Sequence, residues 1–364
     1  MERHLYIIGN GFDLHHGINS SYRNFRDWLY ENEPTVIQDI EEAYGCCDDE
    51  WWSDFENQLG SLDILEYASA VASENVPDLM SDHCDRMWND AQIEVEQSLD
   101  GLYSDLRSCF RNWILQLNSP REDKKIELIR EGSRFLTFNY SKTLENMYGV
   151  PSAQILHIHG CIDDNEEFVL GHCVGEDELR KMIIVNDPEP PSDDDPEAYE
   201  QWRMEMEDNH QLHQQLAEDA AVSGVASQQK PVKKLLHRYK DFFDSLYDVT
   251  HIHVYGMSFS EVDAPYLNMV AQIARDAEWE ISDYQGYCEM EITSFIDLHK
   301  ITNYKVIELN TLISRLQLEI DFPANESISL SYYIQIMWIS LFTLICAISH
   351  SFNIYAVVHL FVSR

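Results

Sequence analysis

Basic residues are scarce in this 364-residue sequence, in which 25 Lys and Arg stand against 64 Asp and Glu, for a formal net charge of -39. A protein that neutralises nucleic-acid phosphates needs a surplus of Lys and Arg. The composition therefore argues against a nucleic-acid partner. It leaves open an uncharged or cationic partner, or a small phosphate ligand held in a locally basic pocket.

Paired cysteines and a secretory signal are also missing. The eight cysteines are scattered without a Cys-x-x-Cys pair, which argues against a zinc ribbon, and we expect no metal. The amino terminus passes directly into a short apolar run, Leu5 to Ile8, with no signal-peptide region before it. These features predict a cytoplasmic protein whose thiols are reduced.

Several enzyme signatures are absent as well. The sequence contains no G-x-S-x-G nucleophile elbow, no P-loop, no H-E-x-x-H and no G-x-G-x-x-G fingerprint. Among enzymes, this leaves nucleotide chemistry of a non-kinase type as the leading class.

Short apolar runs bounded by Gly, Asp, Asn or charged residues recur at long intervals, as strands do. They are LYIIG, RFLTFNY, AQILHIHG, EEFVLGH, THIHVYGMS, WEISDY and YKVIEL. Helical stretches such as APYLNMVAQIARDAE lie between them. This alternation predicts an α/β fold, a Rossmann-like, doubly wound and mostly parallel sheet.

Two long intervals interrupt that core, which we assign to residues 1–26 and 132–315. Residues 27–131 carry Leu, Trp and acids at helical spacing and predict a helical insertion. Residues 175–248 contain a proline-rich acidic run that leads into a polar helix. We interpret the run as a solvated loop, with a lid over the site as the alternative.

The carboxyl-terminal segment, residues 322–364, is an apolar tail that has no Asp, Glu, Lys or Arg between Ser327 and Ser363. Its length is sufficient to span a bilayer, which makes membrane association through this tail one hypothesis. The alternatives are a helix packed on the core and an extension beyond the domain.

Polar motifs follow four of the predicted strands at their carboxyl ends. They are Gly9–Asp13 after the first, Thr137–Tyr140 after the second, His157–Gly160 after the third and Tyr255–Ser260 after the fifth. Ligands of open α/β sheets bind in the crevice outside the carboxyl ends of the strands. The shared location predicts a nucleotide site.

The first motif has the glycines of a phosphate-binding turn. Gly9 and Gly11 let the backbone approach a phosphate closely, and the helix that follows offers its N–H groups. We include Asn10 and Phe12 in this turn, and Asp13 either caps the helix or accepts a sugar hydroxyl. A turn without a ligand is the alternative.

The second and third motifs carry the predicted catalytic pair. Asn139, which follows Thr137, both donates and accepts hydrogen bonds, as binding to a ribose requires. His159 can act as a general base near neutral pH. The alternatives are a helix-capping Asn139 and a His159 bonded within its strand end. Together with His157, His159 has the spacing of a two-ligand metal site, which needs further ligands.

The last motif supplies Gly256, Ser258 and Ser260, which can hold a second phosphate or ribose. A helix amino-terminal cap explains the same SFSEVD stretch equally well.

These motifs together resemble the AbiH family of phage abortive-infection proteins, over about Leu5 to Leu312. The stretches that carry the resemblance are IIGNGFDLHHGINSSYRNF, WSDFENQLG, FLTFNYSKTLE, HIHG, LGH, VYGMSFSEVDAPY and WEISDY. The resemblance implies antiviral defence that damages or arrests the infected cell.

A more distant resemblance links the Gly9–Asp13, Tyr22-Arg23, Thr137–Ser141 and His159-Gly160 motifs to sirtuins. It implies that NAD is the ligand, that Asn139 positions the ribose and the attacking water, and that His159 is the base. Arg23 would lie near the phosphates. The sirtuin zinc ribbon is missing, which argues against deacylation, and the resemblance to sirtuin-like domains of defence systems implies hydrolysis of NAD instead. Ser141 departs from the sirtuin pattern, because it stands where an aspartate contacts the nicotinamide amide.

Two classes of function thus remain open. The leading hypothesis is a defence effector that binds NAD or a related nucleotide and hydrolyses it as an NAD glycohydrolase. The alternative is a non-catalytic nucleotide-binding sensor that acts through a phage or host protein, or through the apolar tail. Association of identical chains is compatible with both.

Overall fold

The computed structural model describes residues 3–45, 47–76, 87–129, 131–161, 168–183, 199–200 and 212–313. The proline-rich acidic segment, residues 186–211, lies outside them except for residues 199–200, and the apolar tail lies entirely outside. No helix within these described ranges is both long enough and apolar enough to cross a bilayer.

Six parallel strands form one sheet in the order β3-β2-β1-β4-β5-β6. They are β1 (His4–Ile8), β2 (Arg134–Thr137), β3 (Ile155–His157), β4 (His251–Tyr255), β5 (Glu278–Ser282) and β6 (Tyr304–Ile307). The prediction of an α/β fold with a parallel sheet is confirmed.

The central strand β1 is apolar on both faces because the sheet is covered on both sides. Leu5 and Ile7 pack in a cluster with Ile252 of β4, whereas Tyr6 and Ile8 belong to a second cluster on the other face. The neighbouring strands are held in register with β1, as in the pairing of Ile7 with Leu136 and Val254.

The predicted strand EEFVLGH is not observed in its described part. Residues 168–172 form only an isolated bridge between His172 and Gln229. The side chains of Phe168 and Leu170 pack instead into the apolar core of the helices, where Phe168 contacts the rings of Phe110 and Tyr140. Burial against helices, rather than sheet pairing, explains the apolar pattern of this stretch.

Helices occupy the connections between the strands. Those nearest the sheet are α1 (Asn10–His15), α8 (Thr143–Tyr148), α11 (Val232–Arg238), α12 (Lys240–Asp244), α13 (Ala264–Ile273) and α14 (Glu289–His299). The described residues between β1 and β2 also form α2 (Tyr22–Asn32), α3 (Pro34–Tyr44), α4 (Asp49–Ser53), α5 (Phe55–Gln58), α6 (Ile64–Glu74) and α7 (Asp90–Ile114). Between β3 and β4 lie α9 (Glu176–Met182) and α10 (Leu212–Ala226).

The two insertions build one helical layer with a core of its own. Helix α10, from the second insertion, packs against α6 and α7 of the first. Small side chains permit this close approach, because Ala217 and Ala221 are fully buried and a Cβ at Gly224 would meet the Leu99 side chain at 2.7 Å. The layer thus depends on both segments of the chain.

Candidate functional site

A cavity of about 920 Å³ lies at the carboxyl edge of the sheet. Its floor includes Gly9 after β1, Asn139 after β2 and Gly256 after β4, and α7 contributes Phe110 and Trp113. Strand β1 has β2 on one side and β4 on the other, so the strand order reverses direction here. Such a reversal is where open α/β sheets bind ligands.

Most of the predicted site residues line this one cavity. They are Gly9, Asn10, Gly11, Asp13, Arg23, Asn139, His159, Gly256, Ser258 and Ser260. Phe12 and Thr137 lie behind the lining. The Phe12 ring packs against His16 and Tyr148, and the Thr137 hydroxyl accepts the Asn139 N–H at 3.1 Å.

The glycines bring the β1–α1 and β4–α13 loops into close backbone contact. A Cβ at Gly9 would lie 2.6 Å from the Gly256 carbonyl oxygen, and one at Gly256, whose φ is +70°, would lie 2.0 Å from the Phe12 nitrogen. The Gly11 N–H donates to the Gly256 carbonyl at 2.8 Å. Packing between loops therefore accounts for these glycines, and the Gly11 N–H is already paired.

Asn10 and Asp13 use their side chains within the protein. The Asn10 Nδ2 donates to the Ser20 carbonyl at 2.9 Å, and the Ser20 hydroxyl donates back to Asn10 Oδ1 at 2.6 Å. Asp13 accepts hydrogen bonds from the hydroxyls of Ser141 and Thr143. Burial raises the pKa of Asp13, and these hydrogen bonds oppose the rise. Both residues thus position the loops around the cavity.

The Asn139 carboxamide is buried in the cavity wall. Its side chain does not cap a helix, because α8 begins at Thr143 with Lys142 as its N-cap. Neither amide atom makes a hydrogen bond of normal geometry, although the amide is near enough to help lower the pKa of Asp13. Since buried amides nearly always have partners, this carboxamide is suited to bind a polar ligand.

A buried ionic cluster adjoins the carboxamide. The Lys230 Nζ lies 2.9 Å from Glu56 Oε2, 3.4 Å from His159 Nδ1 and 3.7 Å from Asp263 Oδ1. The Lys230 side chain is 0% exposed. Glu56 belongs to α5, Lys230 precedes α11 and Asp263 is the N-cap residue of α13. Three distant segments therefore meet beside His159.

The cluster shifts the protonation of His159 and Asp263 in defined directions. Burial, with the Lys230 charge adding to it, lowers the pKa of His159 well below its usual value. Burial raises the pKa of Asp263 to about 6, with Lys230 opposing the rise and Glu56 adding to it. At neutral pH, His159 is thus uncharged and Asp263 is mostly ionised.

Basic side chains and the last motif lie elsewhere on the cavity wall. Arg23, Arg121 and Lys124 line it together with six Asp and Glu side chains, and Arg121 is paired with Asp123 at 2.8 Å. The Asp263 side chain does not cap α13, so the capping explanation for SFSEVD is not observed. The Asp263 carboxylate lies instead beside Lys230 in the ionic cluster.

His157 does not join His159. Its imidazole bonds to Glu145 at 3.0 Å and to the Asn139 carbonyl at 3.2 Å. Strand β3 ends at His157, so the alternation that the sequence suggested does not continue to His159. No group of three or more His, Cys, Asp or Glu with metal-site geometry occurs in the parts of the chain that the structure describes.

Sequence reasoning missed Glu56 and Lys230 as members of the site. Glu56 lies inside the WSDFENQLG stretch, which was a detectable signal, whereas nothing around Lys230 marked it.

Residues 5–283 match the family described as bacteriophage abortive infection AbiH. The chain belongs to the AbiH family. No curated protein and no solved structure matches it. AbiH membership assigns the protein to abortive infection, a defence against bacteriophage. The AbiH match covers the cavity residues from Gly9 to Asp283, including the whole ionic cluster, and strand β6 lies beyond it.

Proposed function

We propose that this AbiH protein is a defence effector that binds NAD or a related nucleotide in the cavity and hydrolyses its glycosidic bond. One observation carries the proposal: Asn139 and His159 line the same cavity at the carboxyl edge of a parallel sheet, and the Asn139 amide atoms and the His159 Nε2 are buried without a hydrogen bond of normal geometry. A sugar hydroxyl or a water molecule satisfies such groups.

The strand order supports a dinucleotide ligand. The order 3-2-1-4-5-6 is that of doubly wound, Rossmann-like sheets, which bind dinucleotides across the point of reversal. The volume of about 920 Å³ falls within the range of small-molecule sites. Three basic and six acidic side chains line the cavity, and the proposal assigns the phosphates to the basic ones, Arg23, Arg121 and Lys124.

The chemistry requires few protein groups. Cleavage of the bond between ribose and nicotinamide needs a positioned water and stabilisation of an oxocarbenium-like transition state. In the proposal, Asn139 orients the ribose and the water, and the apolar wall of Phe110 and Trp113 limits access of bulk solvent. Loss of NAD would arrest the infected cell, as abortive infection requires.

Release of nicotinamide tests the proposal directly. The purified full-length protein is incubated with NAD, alone and with extract of phage-infected cells, and nicotinamide is followed by chromatography. We expect Asn139→Ala to slow release by roughly 100-fold or more, because ribose positioning is lost. The matched control is Asn268→Ala, in which an asparagine that contacts His299 outside the cavity is removed. Equal rates for Asn139→Ala and the unaltered protein would refute the mechanism.

A non-catalytic sensor is the second candidate. The observation that favours it is that the Ser141 hydroxyl donates its hydrogen bond to Asp13 within the protein. In this candidate, Ser141 at the position of the sirtuin aspartate does not engage the nicotinamide amide, and the site binds the nucleotide and leaves it intact. Calorimetry that detects binding of NAD or ADP-ribose, with no release of nicotinamide, would identify this function. A phage or host protein would then be its partner.

A further inference from the structure

Lys230 determines which nitrogen of His159 carries the proton. The Lys230 ammonium, paired with Glu56, lies 3.4 Å from His159 Nδ1. An ammonium group can only donate, so Nδ1 of the neutral imidazole must accept. The ring proton therefore resides on Nε2.

The Nε2–H of His159 faces the carboxylate of Asp263. The distance from Nε2 to Asp263 Oδ1 is 3.7 Å, too long for a hydrogen bond, and neither atom has another hydrogen-bond partner. Both residues line the cavity. The two atoms thus form a donor beside an acceptor, and a water or a ribose hydroxyl satisfies both because it accepts one hydrogen bond and donates another.

We infer that Asp263, and not His159, accepts the proton from the attacking water, and that Lys230 holds His159 as a hydrogen-bond donor. The catalytic step rests on the proposed NAD hydrolysis. The water oxygen bonds to the ribose carbon, its proton passes to Asp263 Oδ1, and the carbon–nitrogen bond breaks. The bond's electron pair stays on the nicotinamide nitrogen, which leaves as a neutral ring. Asp263 then releases its proton to solvent.

The groups that face Asp263 are compatible with this role. They are Lys230, Glu56 and His159, together with the phenols of Tyr22, Tyr140 and Tyr266. Burial raises the pKa of Asp263 to about 6, which lies close to neutral pH, where a general base is most effective. Because the carboxylate is the active form, kcat/KM should rise as the pH increases through about 6.

Crossed substitutions distinguish the two candidate bases. His159→Gln retains an N–H donor near the Nε2 position and loses the imidazole, so we expect at most a tenfold loss of nicotinamide release. Asp263→Asn preserves shape but removes the basic oxygen, and we expect a loss of about 10²- to 10⁴-fold. The reverse order of effects would overturn the inference. Thermal unfolding and NAD binding of both variants control for misfolding.

The tautomer is measured separately, so that failure of the proposed function is distinguishable. In the full-length, ¹⁵N-histidine-labelled protein, NMR should show His159 neutral and protonated on Nε2 from about pH 6 to 8, with the signal assigned by its absence in His159→Gln. An Nδ1–H tautomer or an imidazolium would overturn the inference even if NAD is hydrolysed. If NAD is not hydrolysed, the proposed function and the catalytic role of Asp263 both fail, whereas an Nε2–H tautomer would still support the arrangement that Lys230 imposes.

Discussion

Replacement of Lys230 by methionine tests how the ionic cluster stabilises the fold. The change removes a fully buried ammonium and leaves Glu56 and Asp263 as acids without their shared cation. Removal of one partner from a buried ion pair costs about 3–5 kcal/mol, because the other charge remains desolvated. Glu56 is 14% exposed and has the Tyr140 hydroxyl 3.0 Å from its Oε1, so its charge is partly solvated. We therefore expect the lower end of the range, about 3 kcal/mol.

Urea unfolding, followed by far-UV circular dichroism, measures this loss in the free energy of unfolding. The matched control is Lys234→Met, which removes an exposed lysine on α11 and should change the stability by less than about 0.5 kcal/mol. The double variant Glu56→Gln/Lys230→Met should be destabilised by less than the sum of the single changes, since the two residues contact each other. A loss below about 1 kcal/mol for Lys230→Met would refute the reasoning, because surface ion pairs give losses of that size.

Three further tests, which use four substitutions, probe other parts of the fold by the same unfolding measurement. Gly256→Ala should destabilise the protein by more than about 1 kcal/mol, because φ is +70° and the new Cβ would meet the Phe12 nitrogen. The control is Gly101→Ala on α7, whose Cβ would have no atom within 4 Å and which should stabilise the protein by about 0.5–1 kcal/mol. Equal effects of the two changes would contradict the contact between the loops. Leu99→Ala should cost about 2–5 kcal/mol if the helical layer unfolds together with the sheet. Burial alone would raise the pKa of Glu280, but hydrogen bonds from His253, Lys305 and Tyr255 lower it to about 2. The ionised Glu280 therefore stabilises the folded protein above pH 4.5, and this contribution is lost as the pH falls towards 2. Glu280→Gln should therefore lose less stability than the unaltered protein between pH 7 and pH 3, and an unchanged difference would show that Glu280 does not contribute.

The strands were predictable because each carries a local signal. The run Leu5 to Ile8 is apolar without alternation, as a strand covered on both faces must be, and β4 has turn residues directly after it. The stretch that contains Phe168 and Leu170 has a similar pattern but packs against helices. A short apolar run indicates that the stretch is buried, but it does not indicate whether the stretch pairs in a sheet or packs against helices.

The site was predictable only where residues cluster along the chain. Asn139 and His159 follow strands, and because parallel strands end at the same edge of a sheet, the sequence predicted that both residues lie at that edge. The pair formed by Glu56 and Lys230 joins residues 174 positions apart, and the contact exists only because both insertions fold onto the same side of the site. Charge in the sequence does not reveal such a pair, since most acids and lysines are solvated.

The position of β1 at the centre of the sheet governs when the cavity can form during synthesis. Strand β1 emerges from the ribosome first, yet one of its two neighbours, β4, begins at His251. Contacts between such distant segments form late, because a long loop must close before they stabilise anything. A ribosome-bound chain that ends between Asn139 and Gly256 has β1 and Asn139 but lacks Gly256 and Asp263. The protein therefore cannot engage a ligand through the complete pocket until translation is well advanced, and truncated products lack a finished site.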